Sequence, residues 1–154
     1  MNNDKVVGIL NNLIEACRDG QAGFKEAAEY AESPELKTFF RHESLERAQF
    51  VGDLQQQVQA LGSDPEKSGS TAGAIHRAWT AIKGTLTGKD DKSILNEVER
   101  GEDSAVDAYE DALRQGLPAN LRMIVEKQYL EIKGVHDRVK QMRDARSASA
   151  GGRK

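Results

Sequence analysis

The lengths of the links between four amphipathic segments constrain the fold of this chain most strongly. In each segment apolar residues recur in steps of three and four, which is typical of helices that bury one face in a bundle. The predicted helices cover about 4–31, 34–61, 92–115 and 118–145. Tight turns join the first helix to the second and the third to the fourth, so each pair must run antiparallel. The link between the second and third helices is long.

The long link contains an amphipathic segment of its own. Residues 71–86 carry Ile75, Trp79 and Ile82 on one face, and this pattern predicts a short fifth helix that packs on the bundle. Such a helix spans ~24 Å at 1.5 Å per residue, enough to travel much of the length of a bundle. Two antiparallel hairpins joined by one long crossover form the ferritin-like arrangement, whereas an up-down-up-down bundle does not need such a connector. We therefore predict an all-α, ferritin-like four-helix bundle in which the second and third helices run parallel.

Size and charge limit the classes of protein that fit. The 154 residues suffice for one domain with its own core, which we assign to 1–146, followed by a flexible tail at 147–154. The net charge of -3 lacks the basic footprint of a nucleic-acid binder. No apolar run approaches the length of a membrane span, and the N-terminus lacks the pattern of a signal peptide. Because Cys17 is the single cysteine, we expect a cytoplasmic protein.

Three carboxylates and a histidine interrupt the apolar seams of the predicted helices. Glu43 and Glu46 lie between two phenylalanines of the second helix, Glu102 has a similar place on the third, and His136 lies on the fourth. Burying an unpaired carboxylate is unfavourable, so these groups must pair, bind a cation or lie near water. Carboxylates and imidazoles that converge from several helices are also how a bundle builds a di-iron site.

Several passages resemble a family of small bacterial four-helix-bundle proteins within the ferritin-like superfamily, one described as a domain of unknown function. The passages are LIEACRDGQAGFKEAAE, LERAQFVGDL, GSTAGAIHRAW, RGEDSAVDAYEDAL and HDRV. Together they cover nearly all of the predicted helices. The resemblance implies the fold, but the family brings no established activity.

The di-iron members of the superfamily, rubrerythrin-like proteins among them, offer a sharper comparison. They carry a glutamate seven residues before an aromatic on the first and third helices. Glu102 and Tyr109 match this pattern on the third helix. On the first helix the matching residues are Cys17 and Phe24, so a thiol stands at the ligand position.

The same proteins carry Glu-x-x-His on the second and fourth helices. Here Glu46 is followed by Gln49 where the histidine belongs, and His136 is preceded by Lys133 where the glutamate belongs. The resemblance thus implies three surviving metal ligands and three nearby secondary candidates. The ligands are Glu46, Glu102 and His136, and the secondary candidates are Glu43, Glu99 and Glu131. Alternatively, Lys133 supplies the positive charge in place of metal and forms a buried ion-pair network with Glu46 and Glu102.

These observations favour one interpretation and leave two others open. The leading one is a non-enzymatic ferritin-like bundle protein with a degraded di-iron site and no cofactor, associated with stress as many members of the superfamily are. The alternative is a metalloprotein that binds di-iron or manganese between its helices and performs oxidase- or peroxidase-type chemistry. A third is an assembly module that acts as a homo-oligomer. No nucleic-acid or membrane partner is expected.

Overall fold

Four long helices make up the described part of the chain. A computed structural model of the protein describes residues 2–63, 86 and 88–152, with side chains up to residue 146. The helices are α1 (Asn3–Tyr30), α2 (Pro34–Ala60), α3 (Asp91–Arg114) and α4 (Ala119–Gly152). Within these ranges no strand occurs. The all-helical class and the four long helices are therefore confirmed.

The helix ends follow from local sequence signals. The Ser33 side chain accepts a hydrogen bond from the backbone N–H of Leu36, and Pro34 occupies the first turn of α2. Gly62 and Gly116, with φ of 77° and 74°, follow α2 and α3 in the left-handed conformation that glycine adopts without steric cost. These are the residues at which the sequence predicts that the helices start and stop.

The apolar core consists of two clusters at opposite ends of the bundle. The turn-end cluster lies beside the α1–α2 turn and joins the end of α1 and of α4 to the start of α2 and of α3; its members include Ala27, Leu36, Leu95 and Val139. The far-end cluster joins the other four helix ends; its members include Leu10, Leu54, Tyr109 and Val125. Because α2 and α3 both begin at the turn end, they run parallel, as the lengths of the links predict.

A side chain at the start of α3 fixes its position against the first hairpin. The Asp91 carboxylate accepts hydrogen bonds from the backbone N–H groups of Glu32, at 2.8 Å, and of Ser33, at 3.1 Å. Leu61, just after α2, packs against the far-end cluster, whereas Leu86 belongs to the turn-end cluster. The link between α2 and α3 therefore joins opposite ends of the bundle.

Two sequence predictions fall partly outside the described residues. The fifth helix predicted over 71–86, with Ile75, Trp79 and Ile82, lies outside them except for Leu86, which is buried and not helical. The other prediction concerns the C-terminus: α4 continues to Gly152, past the end predicted near residue 145. The domain limit at 146 and the flexibility of 147–154 stay predictions. No helix in the described ranges combines the length and apolar character needed to cross a bilayer.

Replacing Asp91 by alanine tests the link between α3 and the α1–α2 turn. Asp91→Ala removes two hydrogen bonds to a charged acceptor, so we expect it to lower the free energy of unfolding by about 1–3 kcal/mol. Urea denaturation followed by circular dichroism measures the change. Asp111→Ala is the control, because the Asp111 side chain is exposed and contacts Arg114 and Gln115, three and four residues further along the chain. Equal losses in the two variants would contradict the assignment.

Candidate functional site

A buried ion pair lies at the centre of the bundle. Nη1 of Arg47, on α2, donates to Oε1 of Glu102, on α3, at 2.8 Å, and Nη2 donates to Oε2 at 2.5 Å. The two side chains are 1% and 0% exposed. Burial alone would lower the pKa of Arg47, but the Glu102 carboxylate outweighs it and raises that pKa above its usual value. The pair is therefore bidentate, fully desolvated and charged.

The neighbouring helix α1 leaves room for the Arg47 head group. A Cβ atom at Gly20 would lie 2.8 Å from Nη1 of Arg47, so a larger residue does not fit without a shift. Four residues further along α1, the Phe24 ring centre lies 5.2 Å from Cζ of Arg47, a cation–π distance. Gly20 and Phe24 thus form the wall against which the guanidinium is held.

A hydrogen-bonded chain beside the ion pair connects all four helices. Tyr109 Oη, on α3, donates to Gln128 Oε1, on α4, at 2.7 Å. Because the tyrosine has one hydroxyl proton, the thiol of Cys17, on α1, is the donor in its 3.0 Å contact with Tyr109 Oη. Gln128 Nε2 donates to the carbonyl of Phe50, on α2, at 3.5 Å. Every helix therefore contributes a polar group to the same level of the bundle.

The thiol of Cys17 and the phenol of Tyr109 in this hydrogen-bonded chain are both neutral at physiological pH. Burial raises the pKa of Cys17 to about 11. Burial, followed by the nearby Cys17, raises the pKa of Tyr109 well above its usual value. A metal ligand or a nucleophile must be a thiolate, so Cys17 acts here as a hydrogen-bond donor.

The prediction that Lys133 is the buried cation is wrong. The Lys133 side chain is 44% exposed, and its Nζ lies 3.6 Å from Oδ1 of Asp137 on the surface of α4. Arg47 has the role that the sequence assigned to Lys133. Its planar guanidinium engages both oxygens of Glu102, which a lysine ammonium cannot match.

His136 lies at the seam between α3 and α4. Its Nε2 is 2.5 Å from Oδ1 of Asp103, and its Nδ1 is 3.0 Å from Oδ1 of Asp137. Burial lowers the pKa of His136, but the hydrogen bonds with Asp137 and Asp103 outweigh it and raise the pKa above the usual value. Both ring nitrogens are therefore engaged by carboxylates other than those predicted as its co-ligands.

The secondary candidate Glu99 also has a different partner. Its Oε1 accepts a hydrogen bond from Nη1 of Arg143 on α4 at 2.6 Å. Of the six residues predicted as ligands, Glu99 and His136 thus contact groups outside the set, and Glu102 gives both oxygens to Arg47. The remaining three come together elsewhere.

A polar cluster lies between α2 and α4, and we call it the α2–α4 cluster; its members are His42, Glu43, Glu46 and Glu131. Donor atoms of the three residues on α2 all lie within 4.8 Å of one another. The fourth member, Glu131, neighbours Glu46 across the seam, and burial, followed by Glu46, raises the pKa of Glu131. Burial, followed by the Glu46 charge, raises the pKa of Glu43 to about 7. Glu43, Glu46 and Glu131, which were predicted as primary or secondary ligands, therefore share one site.

A cavity of about 440 Å³ adjoins the cluster between α2 and α4. Its lining includes Glu46 and Glu131 from the cluster, together with Asp53, Lys127 and Gln128. The wall thus contains three acidic side chains, and the cavity gives space for water or an ion beside Glu46 and Glu131.

Sequence reasoning missed two residues that build these sites, Arg47 and His42, whereas Gly20 was interpreted from the sequence as a place where a neighbouring helix approaches closely. Arg47 lies four residues after Glu43 and three before Phe50, which is the spacing of an inward position. Gly20 on α1 lies beside the guanidinium of Arg47. His42 lies four residues before Glu46, so the two share one helix face. For Arg47 and His42, the spacing in the sequence already indicated these positions.

The geometry of the described residues defines a class: four long helices with a desolvated arginine–glutamate pair at their centre. Residues 5–115 match the family described as Domain of unknown function (DUF2383). The match covers well over half of the chain, and the protein belongs to this family. No curated protein matches the sequence.

Two glycine replacements on the same helix test the close approach of Arg47. A Cβ atom at Gly20 would meet a guanidinium that Glu102 holds in place, so we expect Gly20→Ala to lower the free energy of unfolding by about 1–3 kcal/mol. Gly8 of α1 has open space around it, so Gly8→Ala should raise that free energy by roughly 0.5–1 kcal/mol. Thermal and urea denaturation measure both. If the two changes had the same sign, the packing argument would fail.

Single and double replacements test the ion pair. The single variants Glu102→Leu and Arg47→Met each leave a buried charge without its partner, so each should lower the free energy of unfolding by about 3–5 kcal/mol. A double variant, Arg47→Met with Glu102→Leu, removes both charges at once, so we expect it to be more stable than either single variant. Denaturation of the three variants gives the coupling energy. Additive losses would show that the two groups do not act as a pair.

Proposed function

We propose that this protein is a non-enzymatic ferritin-like four-helix bundle in which an ion pair stands where a di-iron centre would be. The directions of the helices support the ferritin-like part. Two antiparallel hairpins, with α2 parallel to α3 and a link between opposite ends, are the arrangement of that superfamily. On this proposal the central polar groups stabilise and orient the helices, and the protein acts through its folded surface.

The ion pair is the single observation that carries the proposal. A di-iron centre needs ionised carboxylates with free oxygens, and Arg47 takes both oxygens of Glu102. The guanidinium also supplies the positive charge that a cation would bring to a buried carboxylate. The residues at the centre therefore do not fit a di-iron group.

The first helix supports the same conclusion. There the superfamily comparison assigns a position to a glutamate. Cys17 stands there as a neutral thiol that donates its proton to Tyr109. His136 is engaged by Asp103 and Asp137 instead of pointing a free nitrogen at Glu102. An iron or manganese oxidase would require Arg47 to release Glu102 and Cys17 to ionise.

Iron oxidation measures whether the centre is catalytic. The metal-free protein is loaded with Fe(II) without oxygen and then exposed to air, and the iron(III) absorbance is followed. We expect oxidation at the rate of the buffer alone, with no difference between the wild type and Glu102→Gln.

The opposite result would overturn the proposal. Oxidation that the protein accelerates, with two irons per chain, lost in Glu102→Gln and kept in Glu126→Gln, would identify a di-iron oxidase. Glu126 is a suitable control because it is a half-exposed residue of α4 that pairs with Arg122 on its own helix. Circular dichroism establishes that both variants are folded.

A further inference from the structure

We infer that the α2–α4 cluster binds one divalent transition-metal ion of the Mn²⁺ and Zn²⁺ class, at a site separate from the centre of the bundle. The inference is independent of the proposed function, because it uses neither Glu102 nor Arg47 as a ligand. It rests on the spacing of donors on α2, on a buried oxygen without a partner, and on the charge across the seam.

The helix α2 presents three donors close together. His42 and Glu46 are four residues apart, and Glu43 and Glu46 are three apart, so each pair lies on neighbouring turns of the same side. The donor atoms lie within 4.8 Å of one another, and His42 Nε2 is 3.5 Å from Glu46 Oε2. Metal bonds of about 2.0–2.2 Å require a small contraction of this set. The exposed His42 side chain can provide it by rotation.

Glu43 presents a buried oxygen that is available to a cation. The Glu43 side chain is 5% exposed, and its Oε1 is buried with no hydrogen-bond partner among the described residues. A buried polar atom without a partner destabilises the fold, so native proteins rarely keep one. A cation held by Glu43, Glu46 and His42 would satisfy this oxygen.

The two helices face each other with an excess of negative charge. Glu46 on α2 and Glu131 on α4 are neighbours across the seam, where burial, followed by Glu46, raises the pKa of Glu131. Asp53 adds a further negative charge at the seam, and Lys127 adds a positive charge there. Arg47 also lies nearby, but its guanidinium forms the salt bridge with Glu102. A divalent ion would offset this excess negative charge between α2 and α4.

The donor set selects the class of ion. One imidazole nitrogen with carboxylate oxygens suits Mn²⁺, Fe²⁺ or Zn²⁺, whereas Ca²⁺ and Mg²⁺ take oxygen ligands alone. The adjoining cavity of about 440 Å³ leaves room for water on the open side of such an ion. His42 is therefore the residue that distinguishes a transition metal from an alkaline-earth ion.

Titration of the metal-free full-length chain with Mn²⁺ and Zn²⁺ tests the site. Electron paramagnetic resonance follows free Mn²⁺, calorimetry follows Zn²⁺, and thermal denaturation records stabilisation by an ion that binds the native state. We expect one ion per chain and a saturable rise of Tm. Glu43→Gln and His42→Ala, which each remove a ligand, should weaken binding by roughly tenfold or more, and so should Glu131→Gln, which removes a carboxylate beside the site.

Matched controls separate this site from a general acidic surface. Glu126→Gln on α4 and His136→Ala remove the same kinds of group outside the cluster and should leave the affinity unchanged. Glu43→Gln should keep the fold, because the amide has the shape of the carboxylate and removes a buried charge. Circular dichroism of each variant checks that it is folded.

Three results would overturn the inference. One is no saturable binding of either ion, which would leave the iron-oxidation test of the centre unaffected. Another is binding that Glu102→Gln abolishes and Glu43→Gln does not, which would move the ion to the centre and count against the proposed function as well. The third is equal binding of Ca²⁺ or Mg²⁺ that His42→Ala does not weaken, which would refute the assigned class of ion.

Discussion

The buried pair of Arg47 and Glu102 is the interaction on which the central packing depends. Two charges taken out of water are tolerated only when their geometry is close to ideal, and here both oxygens and both terminal nitrogens are used. That geometry imposes conditions on its neighbours: Gly20 must lack a side chain, and the ring of Phe24 must lie beside the guanidinium. The choice of residues on three helices therefore follows from one contact.

Much of the fold could be predicted from the sequence, because short links and terminal signals act locally. Ser33 and Pro34 start α2 where expected, and the unequal links correctly gave the parallel course of α2 and α3. The contact of Asp91 with the α1–α2 turn was not predictable, since it joins groups far apart in the chain. Helix α4 also runs past its predicted end, because local composition marks helix termini only approximately.

The site was predicted in part, for a physical reason. Glu102 and Glu43 are carboxylates at apolar spacing, and both are buried. Arg47 was missed because arginine is rarely buried, so its inward spacing carried little weight beside its charge. Lys133 was chosen instead from a motif comparison, yet on α4 it points toward water. Pairing between helices depends on side-chain direction, which spacing along one helix does not specify.

The position of the ion pair along the helices has a consequence for how the molecule opens. Gly20, Arg47 and Glu102 lie near the boundary between the two apolar clusters. On α2 and α3 the cluster members before Arg47 and Glu102 belong to the turn-end cluster and those after them to the far-end cluster. On α1 the order is reversed, and Ala16 is a turn-end member that lies before Gly20. Polar side chains thus replace much of the apolar contact at this level, where Ala108 packs against both clusters. We therefore expect two cooperative units, and amide hydrogen exchange under native conditions should reveal separate opening energies for the two halves, with the charged layer as their boundary.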